Sequence, residues 1–324
     1  MSLGAGAVVG EAAAAAVSQD EAPESLAALA AKQQAFQLRQ PDEMADILSR
    51  FIAQEAPQRA QLASVASICH ALHILSHGAE VKVAFTVARA GSPPQLPALG
   101  EALARFGRKD RRVADGSAVC AMAERALAAV QSFPATGLRM LAGGSSGTVV
   151  VTRQQAHGLL ALNFFCGVPP APESKSTISL FGLFRKPAAA RTFEVAVARI
   201  EAMLQYLLIA DTGSPSAPKA DRAGRIVIER RVLKNKVMWE TMQRPVVRCD
   251  VIESGLVDAS KASAQVDFAN RLLHIGEVTA SATQEEILFS VRPECFIAML
   301  LGGGPMEDSE ASRFVGALSS SLEW

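Results

Sequence analysis

The sequence predicts a helical first part followed by an α/β part, and three observations support this. The apolar fraction is high at 49%, but much of it is alanine and aromatics are only 5%, a mix that favours helix over sheet for most of the length. A Gly/Ser/Pro/Lys stretch at 211–224 then breaks the chain. Beyond it the grammar changes to β-branched runs at 225–230 and 245–252, with helical segments between later strands, as in a layered α/β arrangement.

In chain order, residues 1–32 are low-complexity, with Ala12 to Ala16 unbroken. They lack the bulky apolar residues that offset the entropy of ordering, so a disordered tail is expected. Pro41-Asp42-Glu43 opens a helix with Met44, Ile47, Leu48 and Phe51 at helical spacing. A second helix runs from Leu62 to Ser76 and stops at His77-Gly78. Residues 79–147 read as further helices joined by turns at 91–94 and 143–147. The 143–147 segment lacks the Gly-Lys-Ser/Thr ending of a phosphate loop, so it is read as a flexible turn. Thr152 is placed as the N-cap of a helix that carries Leu159, Leu162, Phe165 and Cys166 and ends at Pro169-Pro170. Phe193 to Ile209 is another helix, with Val197, Ile200 and Leu204 on its apolar face. The expected division is 33–210 helical, 211–224 linker and 225–324 α/β.

Net charge is zero, so no global field drives the protein onto nucleic acid, and direct nucleic-acid reading is not expected. Two local basic clusters stand out: Arg105 with Arg108-Lys109-Asp110-Arg111-Arg112, and Arg222, Arg225, Arg230, Arg231, Lys234 and Lys236. Each is either a solvated face or a meeting point for a polyanion. The five cysteines are scattered and never in CxxC spacing, as buried thiols of a reducing compartment would be. No apolar run is long enough to span a membrane, and the first 30 residues contain no Lys or Arg, unlike a secretory or transit signal. An intracellular location, nucleus and/or cytoplasm, is expected. His70, His73 and His77 share one helix without a carboxylate at HExxH spacing and are read as packed histidines, not metal ligands.

The densest chemistry lies in Val266-Asp267-Phe268-Ala269-Asn270, a thirteen-residue connection, then Gln284-Glu285-Glu286-Ile287-Leu288-Phe289. It reads as a buried strand, a loop and a helix opening on two carboxylates. Thr283-Gln284-Glu285-Glu286 also fits a helix capping box, with Thr283 as N-cap and Glu286 at N3. Taken together, these residues resemble the catalytic signature of poly(ADP-ribose) glycohydrolases, in which a VDFAN strand leads through a glycine-rich loop to a QEE triplet. The resemblance extends to residues 152–170, similar to a Gln-containing helix with an Ala-Asn-Phe-Phe-Cys-like end, and onward to about residue 317.

The resemblance implies a helical accessory domain followed by a macrodomain-like α/β fold, and hydrolysis of the ribose–ribose bonds of poly(ADP-ribose) without metal or organic cofactor. It implies Glu286 as acid/base, Glu285 on ribose hydroxyls, and Asp267, Asn270, Gln284 and Gly276 around the substrate, poly(ADP-ribose) or ADP-ribose. His274 and Ile275 stand where the family has glycines, which let backbone N–H groups approach a diphosphate closely. The chain ends at Trp324, where the family continues, so an incomplete parallel sheet with an exposed edge for a protein partner is expected. A catalytically inactive relic, acting as an ADP-ribose-binding or protein-interaction module, is the alternative.

Overall fold

A computed structural model describes residues 35–55, 61–79, 84, 94–170, 178–209, 224–233, 266–267, 271–273 and 283–317. All of them belong to one compact unit, residues 34–324. The tail at 1–32, the strand expected at 245–252 and most of the 211–224 segment lie outside the described residues.

The chain enters through a short strand β1 (Ala35–Phe36) and helix α1 (Pro41–Ile52). Proline at the first helical position and Asp42 and Glu43 in the first turn start α1, and Met44, Ile47, Leu48 and Phe51 are its buried stripe. Helix α2 (Leu62–Ser76) follows, and then α3 (Pro97–Lys109), α4 (Arg111–Ala114) and α5 (Ser117–Gln131). The 79–147 region is not helical throughout: strand β2 (Leu138–Arg139) pairs antiparallel with β1. Strand β3 (Gly147–Thr152) leads straight into α6 (Arg153–Phe164). After α7 (Phe181–Phe184) and α8 (Phe193–Ile209) come β4 (Arg225–Val232), α9 (Gln284–Val291), a 3-10 turn at Pro293–Cys295, α10 (Phe296–Leu301) and β5 (Glu310–Val315).

The sheet among the described residues includes a strand, β3, that the sequence reading did not place. Among the described residues it has the order β3-β4-β5 and both pairings are antiparallel, with Val150 opposite Val227 and Val227 opposite Val315. Strand β3 is Gly-Thr-Val-Val-Val-Thr, a β-branched run that suits a pleated surface and was hidden behind the turn reading of the residues before it. The inner face of β4 presents Ile226, Ile228 and Arg230. Val149 and Val151 of β3 join the same apolar core as α6, α8 and α10. The sheet therefore draws a strand from before residue 210 and two from after it into one core.

The most informative member of that inner face is Arg230, which is fully buried. Its Nη1 donates to the Gly302 carbonyl at 3.1 Å and the Gly304 carbonyl at 2.8 Å, and its Nη2 to the Pro305 carbonyl at 2.7 Å. Nη2 also donates to the Glu310 carboxylate. That carboxylate accepts the Gly144 N–H at 2.7 Å and the Glu307 N–H at 2.7 Å. The Gly302-Gly303-Gly304 run that ends α10 is thus also a cradle for a guanidinium. Gly303 sits at φ +84, and a Cβ there would collide with the Leu141 carbonyl. Arg230 consequently leaves the basic cluster to which sequence assigned it.

His70 and His73 of α2 stack against Phe181, and His77, the C-cap residue, lies tilted against His73. His73 lies 4.2 Å from the Phe181 ring at an interplanar angle of 14°, and His70 lies 5.5 Å from it. Burial, reinforced by His77, His70 and Arg185, pulls the His73 imidazole down from 6.5 to about 4. No helix among the described residues is long and apolar enough to cross a membrane.

Two outcomes are expected. Arg230→Met strands the buried Glu310 carboxylate and lowers stability by about 3–5 kcal/mol, which urea unfolding measures directly. Between about pH 6.5 and pH 4 the unfolded chain binds the His73 proton and the folded chain does not, so stability falls as pH falls through that window. The loss is about 1–2 kcal/mol once screening at a partly exposed ring is allowed for, and His73→Phe should flatten the melting temperature over the same range.

Candidate functional site

Helix α9 opens on the carboxylates. Thr283 is its N-cap in an extended conformation, and the box is reciprocal. The Glu286 N–H donates to the Thr283 Oγ1 at 3.4 Å, and the Thr283 N–H donates to the Glu286 Oε2 at 3.1 Å. This satisfies donors that a helix start otherwise leaves unpaired. Both Glu285 and Glu286 are buried, at 3% and 5% exposure. Capping alone does not require that burial, because a cap works as well at the surface.

A second donor meets the same oxygen. Arg199 Nη2 of α8 lies 3.3 Å from Glu286 Oε2, and this arginine is itself only 7% exposed. Burial pulls the Arg199 guanidinium down, while the Glu286 carboxylate opposes that change. Ser290 completes the turn by donating its hydroxyl to the Glu286 carbonyl at 2.7 Å. Sequence reading did not single out Arg199. Its signal was an arginine on the stripe formed by Ala196 and Met203, both of which are buried.

Gln284 reaches back across the connection, its Nε2 donating to the Val266 carbonyl at 3.2 Å. That bond brings the 266–267 segment to the start of α9. The expected buried strand is not met at the two described residues: neither is in a strand, and Val266 is 72% exposed. Asp267 is half-buried, and its carboxyl oxygens have no hydrogen-bond partner among the described residues. Burial pushes its carboxyl above the ordinary value. Asp267 also bears on Cys295, whose thiol is pushed up to about 12, chiefly by burial. Asn270, Gly276, His274 and Ile275 lie outside the described residues. Arg271 anchors the far side of the connection, donating from Nε to the Met306 carbonyl at 2.9 Å and pairing with Glu307 at 3.0 Å.

Behind α9 lies another buried carboxylate. Glu294 is fully buried; Arg153 Nε of α6 donates to its Oε1 at 3.0 Å, and the Tyr206 hydroxyl donates to the same oxygen at 2.9 Å. This trio ties α6, α8 and the 3-10 turn together and fixes the platform on which α9 rests. The first basic cluster is a solvated face of ion pairs: Arg105 bonds Glu194 and Glu101, Lys109 meets Glu201, and Arg112 meets Asp110.

The cap analysis generates a direct expectation. Thr283→Ala should cost about 1 kcal/mol of stability, as should Thr152→Ala at the matching box of α6, and thermal unfolding of the two variants checks it.

Comparison with known proteins places this chain in a family. The model of the poly(ADP-ribose) glycohydrolase helical domain matches residues 110–230, and that of the poly(ADP-ribose) glycohydrolase macro domain fold matches residues 236–322. The chain is similar to poly(ADP-ribose) glycohydrolase 1 of Arabidopsis thaliana, 28% identical over 188 residues, covering 56% of this chain and 33% of the relative. It is also similar to poly(ADP-ribose) glycohydrolase 2 of Caenorhabditis elegans, 28% identical over 178 residues, covering 52% of this chain and 33% of the relative. A probable poly(ADP-ribose) glycohydrolase 2 of Arabidopsis thaliana matches at 27% over 198 residues, covering 56% of this chain and 36% of the relative. The matched stretch spans about a third of the length of these relatives. A helical part followed by a macro-fold part is the order expected from the sequence, and with both family models matched over well over half its length, the chain belongs to the poly(ADP-ribose) glycohydrolase family.

Proposed function

We propose that the chain hydrolyses the ribose–ribose glycosidic bonds of poly(ADP-ribose), with Glu286 as the acid/base. The observation that carries this reading is a pair of buried carboxylates, Glu285 and Glu286, opening a helix in a member of this family. Cleaving a glycosidic bond requires a proton on the leaving oxygen and an activated water, and both pass through a transition state with oxocarbenium character. Consecutive residues on a helix point in different directions, so the two carboxylates divide the work. Glu286 handles the proton at the leaving oxygen, and Glu285 holds ribose hydroxyls.

Asp267 and Asn270 position the ribose and the catalytic loop, Gln284 holds the 266–267 carbonyl against the helix start, and Gly276 offers backbone to the diphosphate. The reading keeps 33–210 as the helical accessory portion and 225–324 as the macrodomain-like catalytic portion, joined at 211–224, in an intracellular protein. Its ligand is poly(ADP-ribose) or ADP-ribose. A second reading, an ADP-ribose-binding or protein-interaction module without turnover, is favoured by His274 and Ile275 at positions where the family carries glycine, since a β-branched side chain at positive φ is strained.

Calorimetry with ADP-ribose, on this chain and on a His274→Gly, Ile275→Gly variant, separates the two readings when paired with a polymer-cleavage assay. The hydrolase reading expects binding by the unaltered chain, and a Glu286→Gln variant that still binds but loses at least about 100-fold in turnover. Binding without turnover in the unaltered chain favours the module. Absence of binding in both proteins sinks the site.

A further inference from the structure

We propose that Arg199 is the positioning residue of the Glu286 carboxyl group, holding its orientation for the reaction. This rests on the hydrolase reading for its purpose, but not for its geometry. The case begins with two helices that start in the same way. Helix α6 opens with Thr152 as N-cap and Gln155 at N3, in a reciprocal box. Helix α9 opens with Thr283 and Glu286 in the same two roles. A capping box accepts Gln or Glu alike at N3, and α6 shows that this chain builds one with a neutral side chain. Gln155 is exposed there. The negative charge of Glu286, its burial and its arginine are therefore in excess of what the cap needs.

The excess is costly. Arg199 lies on the apolar stripe of α8 among buried Ala196, Val197, Ile200 and Met203. Replacing a buried ion pair by apolar side chains is commonly neutral or stabilising, because desolvation of both ions outweighs their attraction. A pair kept at that cost is explained by what it does to the carboxylate. Arg199 Nη2 and the Thr283 N–H converge on one oxygen, Oε2, at 3.3 and 3.1 Å. Two donors from different elements, one a helix start and one a neighbouring helix, set the plane of the carboxylate as well as its position.

Arg199 acts through Glu286 rather than on a ligand. It is buried, and the cavity it borders with Ser290, Met203 and Phe296 has a volume of only about 10 Å³, room for one water at most. The other described carboxylates beside α9 offer Glu286 no opposite charge. Glu294 of the 3-10 turn is taken by Arg153 and Tyr206. Asp267 of the segment held by Gln284 is a carboxyl, as is Glu285 in the same turn. Among the described residues, Arg199 is the cation paired with Glu286.

The test compares the unaltered chain with Arg199→Met, Arg199→Lys, Glu286→Gln and the Arg199→Met, Glu286→Gln double variant. The 13C carboxyl resonance of Glu286, assigned by its loss in Glu286→Gln, is the deciding readout at neutral pH. In Arg199→Met it should move, because Oε2 loses its side-chain donor, and Arg199→Lys should return most of the shift. Polymer-cleavage kcat should fall about 100-fold in Arg199→Met with KM changed less than about threefold, as expected when a reacting group is misplaced. Arg199→Lys should recover at least about tenfold of that loss. The double variant, with a neutral box and no ion, should unfold no lower than the unaltered chain. An unmoved resonance in Arg199→Met overturns the proposal whatever the kinetics. A resonance that moves in a chain that never cleaves polymer sinks the hydrolase reading and leaves the positioning role standing.

Discussion

Arg230 brings a full charge into the core on the inner face of the central strand, and the neighbouring parts of the fold are arranged around that charge. Its guanidinium bonds three carbonyls of the 302–305 turn and the Glu310 carboxylate, which in turn accepts N–H groups from Gly144 and Glu307. One side chain on β4 therefore links the turn before β3, the end of α10 and the start of β5. The planar fork of arginine suits this role because several donors leave it in fixed directions. Glycine at 303 is required because the backbone turns through positive φ against the Leu141 carbonyl. The glycine run is thus a geometric condition for burying Arg230.

The candidate site depends on the same core at one remove. Helix α9 has its N-terminal turn held by its own capping box, and its position is set by neighbours: Arg199 from α8 and the 3-10 turn anchored through Glu294 to Arg153 and Tyr206. The two buried acids differ in their surroundings. Glu294 receives an arginine and a phenol at a single oxygen. Glu286 receives an arginine and a backbone N–H at the helix mouth, where Gln284 draws the 266–267 segment in. The first arrangement makes a strut. The second holds a carboxylate oriented at the point where the family's substrate is proposed to lie.

Local chemistry carried a good deal of this. The stripe of α1 and the N-caps at Thr152 and Thr283 each depend on spacings within a turn or two, and each is found where the sequence placed it. Strand β3 was hidden because a β-branched run of six residues, Gly147–Thr152, sits between a glycine-rich turn and a strong N-cap, whose signals dominate a local reading. Val266 was read as a buried strand residue, yet it is exposed and not in a strand. Burial there depends on neighbours that the local pattern does not name.

By itself, then, the sequence determined the helix starts and stops, the family signature and the identity of the two carboxylates, since these rest on short-range spacing and residue type. Only the tertiary structure decided the antiparallel order β3-β4-β5, the burial of Arg230 and the meeting of Arg199 with Glu286. Residues 199 and 286 are far apart in the chain, and a basic residue on a helix reads as solvated until its neighbours are known. What makes such a residue tolerable in a core is a partner supplied by another element, and that partner exists only once the chain has folded.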